Sequence, residues 1–255
     1  MLPITAQQSF STIGSNFIEL NVLDSTNSYA IDKVQANLAA HGAAFFAHEQ
    51  TAGKGQHGKT WLSNAGDNII VSCVIDCSFL SIHQQFYMSV CVATACYDFF
   101  YTYAGEETSI KWPNDIYWRD RKAGGILIEN IVRGNDWKYC IAGIGININQ
   151  TEFDVFAKKP VSLKQITGKH FNSVSLAKEL CLCLDRRFNE LLQGKHSEQL
   201  AFYNHILFKK NQLVQLKKGS VRFTCEIVGV NNLGALLVKN GPQESFHFGE
   251  IEWIL

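Results

Sequence analysis

Three glycines, two lysines and a closing tryptophan are packed into Gly53-Lys54-Gly55-Gln56-His57-Gly58-Lys59-Thr60-Trp61. A strand-to-strand loop of this composition can cradle a phosphate, with bare backbone amides closing on the oxygens and lysines adding point charges. Its spelling also satisfies the phosphate-loop pattern of glycine, any four residues, then Gly-Lys-Thr. That pattern works where the loop opens a helix, whose N-terminus supplies amides and dipole. Here Leu62-Ser63-Asn64-Ala65-Gly66-Asp67-Asn68 follow, turn formers leading into an apolar strand, so the match reads as a coincidence of spelling. A flexible surface hairpin is the plain alternative for the loop taken alone.

Three further segments carry chemistry. In Lys111-Trp112-Pro113-Asn114-Asp115, Pro113 stiffens the chain, and a turn at Asn114 and Asp115 exposes a carboxylate able to orient an amine, accept a proton or help hold Mg²⁺. A simple turn between strand halves is the competing account. In Asp120-Arg121-Lys122-Ala123-Gly124-Gly125-Ile126-Leu127-Ile128-Glu129, a lysine ahead of a small-residue strand can reach a carboxylate or phosphate oxygen while its stem packs on the sheet. A solvated charge run at a turn explains that segment equally well. Gly143-Ile144-Gly145-Ile146-Asn147-Ile148-Asn149 puts bare backbone on one strand face, with both asparagines expected on that face to recognise a base or sugar. A sheet corner is the alternative.

The elements that must hold these segments follow from periodicity. Asp24-Ser25-Thr26-Asn27 is a run of helix-capping types, and Ile31, Val34 and Leu38 continue at helical spacing. Strands are expected at 43–47, 69–75, 110–118, 125–132 and 137–148, the last two joined by the turn Arg133-Gly134-Asn135-Asp136. A long apolar helix should cover 82–103, and a second, capped by Ser173, aligns Leu176, Leu180, Leu184, Phe188 and Leu191 on one face. A third is expected over 197–208. After Asn211 short alternating segments punctuated by Asn231-Asn232-Leu233-Gly234 and Asn240-Gly241 suggest a small β-barrel appended to an α/β domain.

Composition bounds the function. Of 255 residues, 46% are hydrophobic and 18% charged, which supports a core and argues against wholesale disorder. Lys plus Arg equals Asp plus Glu at 23 each, so no general attraction to nucleic acid or anionic membrane is expected. Met1 to Gln8 show neither a basic start nor an apolar run, and the longest apolar stretch is broken by Ser89, Thr94 and Asp98. The eight cysteines sit in hydrophobic segments without a Cys-x-x-Cys pair, which fits reduced core thiols and a cytoplasmic location.

Taken together, Asp24-Ser25-Thr26-Asn27, the glycine loop ending in Trp61, Lys111-Trp112-Pro113-Asn114-Asp115, Lys122 ahead of Gly125, and Gly143-x-Gly145-x-Asn147 resemble the biotin–protein ligases in order and spacing, from about residue 18 onward. The resemblance implies an α+β fold: a mixed β-sheet flanked by helices, as in class II synthetases and the biotin–lipoate ligase core, over 1–209, with a small SH3-like β-barrel over 210–255. It implies that biotin and ATP form biotinyl-5′-adenylate and pyrophosphate, with Mg²⁺, before a lysine of a biotin carboxyl carrier domain attacks. Ser25, Thr26, Asn27 and Gln50 match biotin contacts, with Gly53, Lys54, Gly55, Gln56, Lys122, Gly125 and Gly143 around them. Lys122, Asp115 and Lys54 match the catalytic positions, and Asp115 is also the candidate Mg²⁺ ligand. Lys54, Gln56, Lys59, Trp61, Lys111, Asn114 and Asn147 match the nucleotide side.

Two departures stand out. The family loop usually carries several arginines, whereas Lys54, Gln56, His57 and Lys59 stand here; lysine keeps charge without the bidentate fork, and Gln56 loses it. Little chain precedes the match, which suggests a ligase without the operator-binding domain of family repressors, as a monomer or homodimer. Lipoate–protein ligase, a non-catalytic biotin-binding module and a true phosphate-loop NTPase are the competing readings.

Overall fold

The computed structural model describes residues 10–134, 136–154 and 159–254. Asn135 of the expected hairpin turn and Met1 to Gln8 lie outside them. The chain runs β1 (Asn16–Leu23), α1 (Thr26–Gln35), β2 (Ala43–Gln50), β3 (Ile69–Asp76), α2 (Gln85–Ala104), β4 (Thr108–Lys111), β5 (Asp115–Trp118), β6 (Arg121–Arg133) and β7 (Asp136–Ile146). Then follow α3 (Leu163–Thr167), α4 (Ser173–Leu192), α5 (His196–His205), β8 (Leu213–Lys218), β9 (Val221–Val230), β10 (Leu236–Lys239), β11 (Ser245–Phe246) and β12 (Glu252–Ile254).

Seven strands form one sheet in the order β1-β2-β3-β7-β6-β5-β4. β1 and β2 are parallel and the other neighbours antiparallel, so the sheet is mixed, as expected. Antiparallel neighbours need only short turns, whereas the parallel pair needs a crossover, which α1 supplies. On one face, α2 and α4 bury Phe46, Val71, Cys73 and Ala142 in the main core. α2 is apolar nearly all round because it is enclosed by the sheet, α4 and α5. α4 exposes its polar side and buries Leu176, Leu180, Leu184, Phe188 and Leu191, the stripe its spacing dictated. On the other face, Ala30 and Val34 of α1 pack on Phe45, Val74 and Ile141, covering only one side of the sheet. The rest of that face is free for the glycine loop.

β8 to β12 form the second sheet, five antiparallel strands ordered β11-β10-β9-β8-β12. It docks on α5 through Asn204, whose amide accepts from Val230 N at 2.6 Å and donates to Val230 O at 2.9 Å. Trp112 Nε1 donates to Gly234 O at 2.9 Å beside it.

Several expectations need correction. The strand expected over 110–118 is a hairpin, β4 and β5, because Trp112, Pro113 and Asn114 form its turn. Leu38 is exposed and not part of α1: Asn37, at φ 58°, ends the helix in the left-handed conformation asparagine tolerates. Asn172, not Ser173, caps α4, accepting from Ser175 N at 2.8 Å, while Ser173 donates to Gly66 O at 3.1 Å. α5 stops at His205, since Ile206 O and Phe208 N bond Ile110 on the open edge of β4. β1 and α3 were not anticipated: β1 alternates polar and half-buried residues at a sheet edge, and α3 is one short capped turn.

Candidate active site

Sheet register builds the floor of one cleft. One row of paired residues runs Ser72–Gly143–Leu127 across β3, β7 and β6. The next runs Ile70–Gly145–Gly125–Asp115–Lys111 across five strands. Paired residues point to the same face, so the second row ends in charge after two bare positions. The glycines are there for space. A Cβ on Gly143 would lie 2.1 Å from Asn27 Oδ1, and one on Gly145 2.5 Å from Trp61 Cε2. At Gly125 it would meet Lys122 Nζ and Trp61 at 3.4 Å, ordinary contact.

The N-terminus of α1 closes one end of the cleft. Ser25, Thr26 and Asn27 are buried there, and Thr26 N donates to Gln50 Oε1 at 2.7 Å. That bond turns the Gln50 amide so that its NH₂ is the outward donor. Asn27 Nδ2 donates to Glu129 Oε2 at 2.7 Å and to Leu127 O at 3.3 Å. Its Oδ1 accepts from the Ser72 hydroxyl at 2.5 Å and keeps a second lone pair. An acceptor and a donor therefore stand at this end with capacity for a ligand.

The glycine loop is a small hairpin over the opening. Lys54 pairs with Thr60, Trp61 N bonds Gly53 O at 2.9 Å, and Gly55 N bonds Lys59 O at 2.6 Å. Gly53 is required by closeness: an added Cβ would lie 2.4 Å from Trp61 O. Only a single 3-10 turn, Gln56–Gly58, interrupts the loop, and β3 follows it, which excludes the phosphate-loop NTPase reading. Lys54, Gly55, Gln56 and Trp61 line the cleft, while Lys59 faces an adjoining hollow under the loop. Trp61 lies on Gly145, and its buried indole N–H has no partner among the described residues.

The charged end is built by a β-bulge. β5 and β6 pair Ile116 with Gly124 and Tyr117 with Lys122, leaving Ala123 extra on β6. The extra residue reverses the strand's alternation and turns Lys122 onto the cleft face. Lys122 Nζ reaches Asp115 Oδ1 at 2.6 Å, and Lys111 Nζ stands 4.0 Å from Oδ2. Lys111 also lies between the rings of Tyr117 and Trp253, 5.3 and 5.2 Å from their centroids. Burial first, then the charge of Asp115, pushes the Tyr117 phenol well up, so it stays neutral. Asn114 is strapped to β6, its Nδ2 donating to Ile126 O at 2.5 Å.

The structure thus gathers Ser25, Thr26, Asn27, Gln50, Lys54, Gly55, Gln56, Trp61, Asn114, Asp115, Lys122, Gly125 and Gly143 around one cleft. Gly53 and Lys59 line the adjoining hollow under the loop instead. Asn147 and Asn149 lie just past the last residue of β7, and both side chains are tied to neighbouring backbone. β7 ends at Ile146, and Asn147 turns its amide to Val161 O at 3.1 Å, tying down the segment beside Lys122. Asn149 brackets Phe171, donating to its O at 2.8 Å and accepting from its N at 3.0 Å. Ser72, Glu129 and Trp253 were missed. A serine inside Ile69-Ile70-Val71-Ser72-Cys73-Val74 and a glutamate ending Gly125-Ile126-Leu127-Ile128 are polar interruptions of apolar strands, which was the available signal.

The chain is similar to known proteins of one family. The biotin/lipoate A/B protein ligase family matches residues 19–147. The bifunctional ligase/repressor BirA of Escherichia coli is 31% identical over 248 residues, 93% of this chain and 74% of that protein. The bifunctional ligase/repressor of Bacillus subtilis is 28% identical over 232 residues, 89% of this chain and 70% of its own length. The biotin protein ligase of Aquifex aeolicus, solved in complex with biotin and ATP, superposes with a TM-score of 0.77 at 24% identity, covering 93% of this chain and 98% of that one.

Proposed function

The chain belongs to the biotin/lipoate A/B protein ligase family, and on that premise we propose that it activates biotin with ATP and transfers the biotinyl group to a lysine of a biotin carboxyl carrier domain. The observation that carries the choice of acid is the polar end of the cleft. Asn27 Oδ1 offers an acceptor and Gln50 Nε2 a donor, complementary to the N–H and C=O of a cyclic urea. A dithiolane ring has neither group and would leave both unpaired. A site built to hydrogen-bond its substrate rejects an analogue lacking the groups by about 10⁴-fold or more. Biotin is therefore favoured over lipoate. A non-catalytic binding module is disfavoured because Lys122 and Asp115 stand at the opposite end, where the carboxylate of the acid would lie.

The reaction follows from this layout. A biotin carboxylate oxygen attacks the α-phosphorus of ATP, and the bond from that phosphorus to the bridging oxygen breaks, releasing pyrophosphate. Lys122 stabilises the negative charge that builds on carboxylate and phosphate oxygens, and Lys54 adds charge from the loop. The acceptor amine then attacks the acyl carbon, AMP leaves with the bonding electrons, and Asp115 takes the amine proton. The loop hairpin and Trp61 keep water from the mixed anhydride.

Among the described residues no group of three or more His, Cys, Asp or Glu could hold a metal. Asp115 is one carboxylate facing two ammonium groups, so Mg²⁺ fits here as the counter-ion of ATP phosphates and not in a protein cage. It would neutralise charge on the leaving pyrophosphate. The eight free cysteines fit a reducing, cytoplasmic setting. No described helix is long and apolar enough to cross a membrane. The direct test is ATP–pyrophosphate exchange with biotin and with lipoate, followed by transfer to a purified carrier domain. Exchange driven by lipoate and not biotin overturns the assignment.

A further inference from the structure

We propose that Glu129 is a positioning residue that sets acid specificity by holding Asn27 in the one amide orientation a ureide ring can use. The inference rests on the biotin reading above. Glu129 lies on the cleft face of β6, two residues beyond Leu127 and at the edge of the hollow beneath the glycine loop. Its Oε2 accepts from Asn27 Nδ2 at 2.7 Å.

An amide side chain offers NH₂ on one side and oxygen on the other, and its flip state is decided by its neighbours. For Asn27 the neighbours on one side are Leu127 O and the Glu129 carboxylate, both acceptors. Both N–H bonds are taken up there, which forces Oδ1 toward Ser72 and the cleft. Ser72 does not decide the orientation, because a hydroxyl can donate or accept. Leu127 O at 3.3 Å is the longer contact, so the decisive acceptor is Glu129. Asn27 and Ser72 are buried at 3% and 0% exposure, so a wrong orientation is not corrected by water. With Glu129 removed, Asn27 is free to flip. It would then turn N–H toward the ligand's N–H, a repulsive arrangement in place of a bond. Glu129 need not touch the acid to select it.

Polarity gives the test a signature that mere packing lacks. In Glu129→Leu no acceptor remains. In Glu129→Gln the amide oxygen can still accept from Asn27. In Asn27→Asp two carboxylates face each other, and in the pair Asn27→Asp/Glu129→Gln the glutamine NH₂ donates to the aspartate, which still offers oxygen to the ligand.

The experiment is equilibrium dialysis of labelled biotin and of desthiobiotin without ATP, with folding checked by thermal unfolding. Glu129→Leu should weaken both ligands by about tenfold or more, the scale of a lost charged hydrogen bond, with Glu129→Gln losing clearly less. Asn27→Asp should bind poorly, and Asn27→Asp/Glu129→Gln should recover a large part of the loss. If biotin binds the parent and Glu129→Leu binds it within about twofold, or the double variant is no better than Asn27→Asp, the positioning role is wrong. If the parent binds no biotin, the ureide reading falls first and this inference with it.

Discussion

Lys122 Nζ stands 2.6 Å from Asp115 Oδ1 because β6 carries one residue more than β5 between their paired positions. Ala123 is the extra residue, and without it the alternation that puts Gly125 on the cleft face would send Lys122 to the other. The pair is only partly exposed, at 32% and 18%, and lies beside the glycine floor.

Lys122→Ala should abolish adenylate formation. Loss of one group that stabilises transition-state charge costs about 10² to 10³ in rate. Biotin-dependent ATP–pyrophosphate exchange reads it directly, and turnover that survives the substitution would show that another cation holds the reacting oxygens.

The floor glycines should differ in their tolerance. Gly143→Ala drives a methyl group into Asn27, and Gly145→Ala drives one into Trp61, whereas Gly125→Ala meets only side chains at contact distance. The first two should lower biotin or nucleotide affinity by about 1–3 kcal/mol, as overpacking does, and Gly125→Ala by less. Titration calorimetry of the three variants ranks them; equal losses at all three would mean that the floor is not held by space.

Gln56→Arg should slow escape of biotinyl-adenylate. Gln56 lines the cleft without charge, and a guanidinium there adds a bidentate partner for phosphate. Release of labelled adenylate from preloaded enzyme should slow by about tenfold, the scale of a charge-assisted hydrogen bond. An unchanged dissociation rate would place the retaining cation elsewhere.

Stability should fall in mild acid through His41. Its Nδ1 accepts from Asp76 N at 3.0 Å, so the ring is held neutral, and burial lowers its pKa below 6.5 against the opposing charge of Asp76. A depressed folded-state pKa means that the unfolded chain binds the proton first. The contribution is present above pH 6.5 and lost as pH falls through the folded-state value. Urea unfolding at a series of pH values should show this decline, and His41→Gln should flatten it; a variant with the same slope would assign the effect to other groups.

The chemistry-bearing residues were legible in the sequence because their types are conspicuous there. Lys122, Asp115, the capping run at Ser25 to Asn27 and the glycine loop all break local expectation, and the cleft brings them together. The long-range partners were not legible. Glu129 reads as a lone charge inside an expected strand, and Ser72 as a polar break in an apolar one, until pairing sets them around Asn27. The backbone partner of the Asn147 amide, Val161 O, was equally hidden until the fold set the two segments side by side.

Local chain chemistry set which side chains are available and which short segments become strand, turn or helix, since spacing, capping and glycine placement act over a few residues. It also ruled against a phosphate loop, because turn formers and a strand follow Thr60. How those segments register was settled by long-range pairing between strands. That Gly145, Gly125, Asp115 and Lys111 form one row depends on the alignment of four strands. That Lys122 joins them depends on the bulge at Ala123, and that Asn27 shows its oxygen depends on a carboxylate far along the chain. Register and amide orientation are set by non-local hydrogen bonds, and local periodicity carries no record of them.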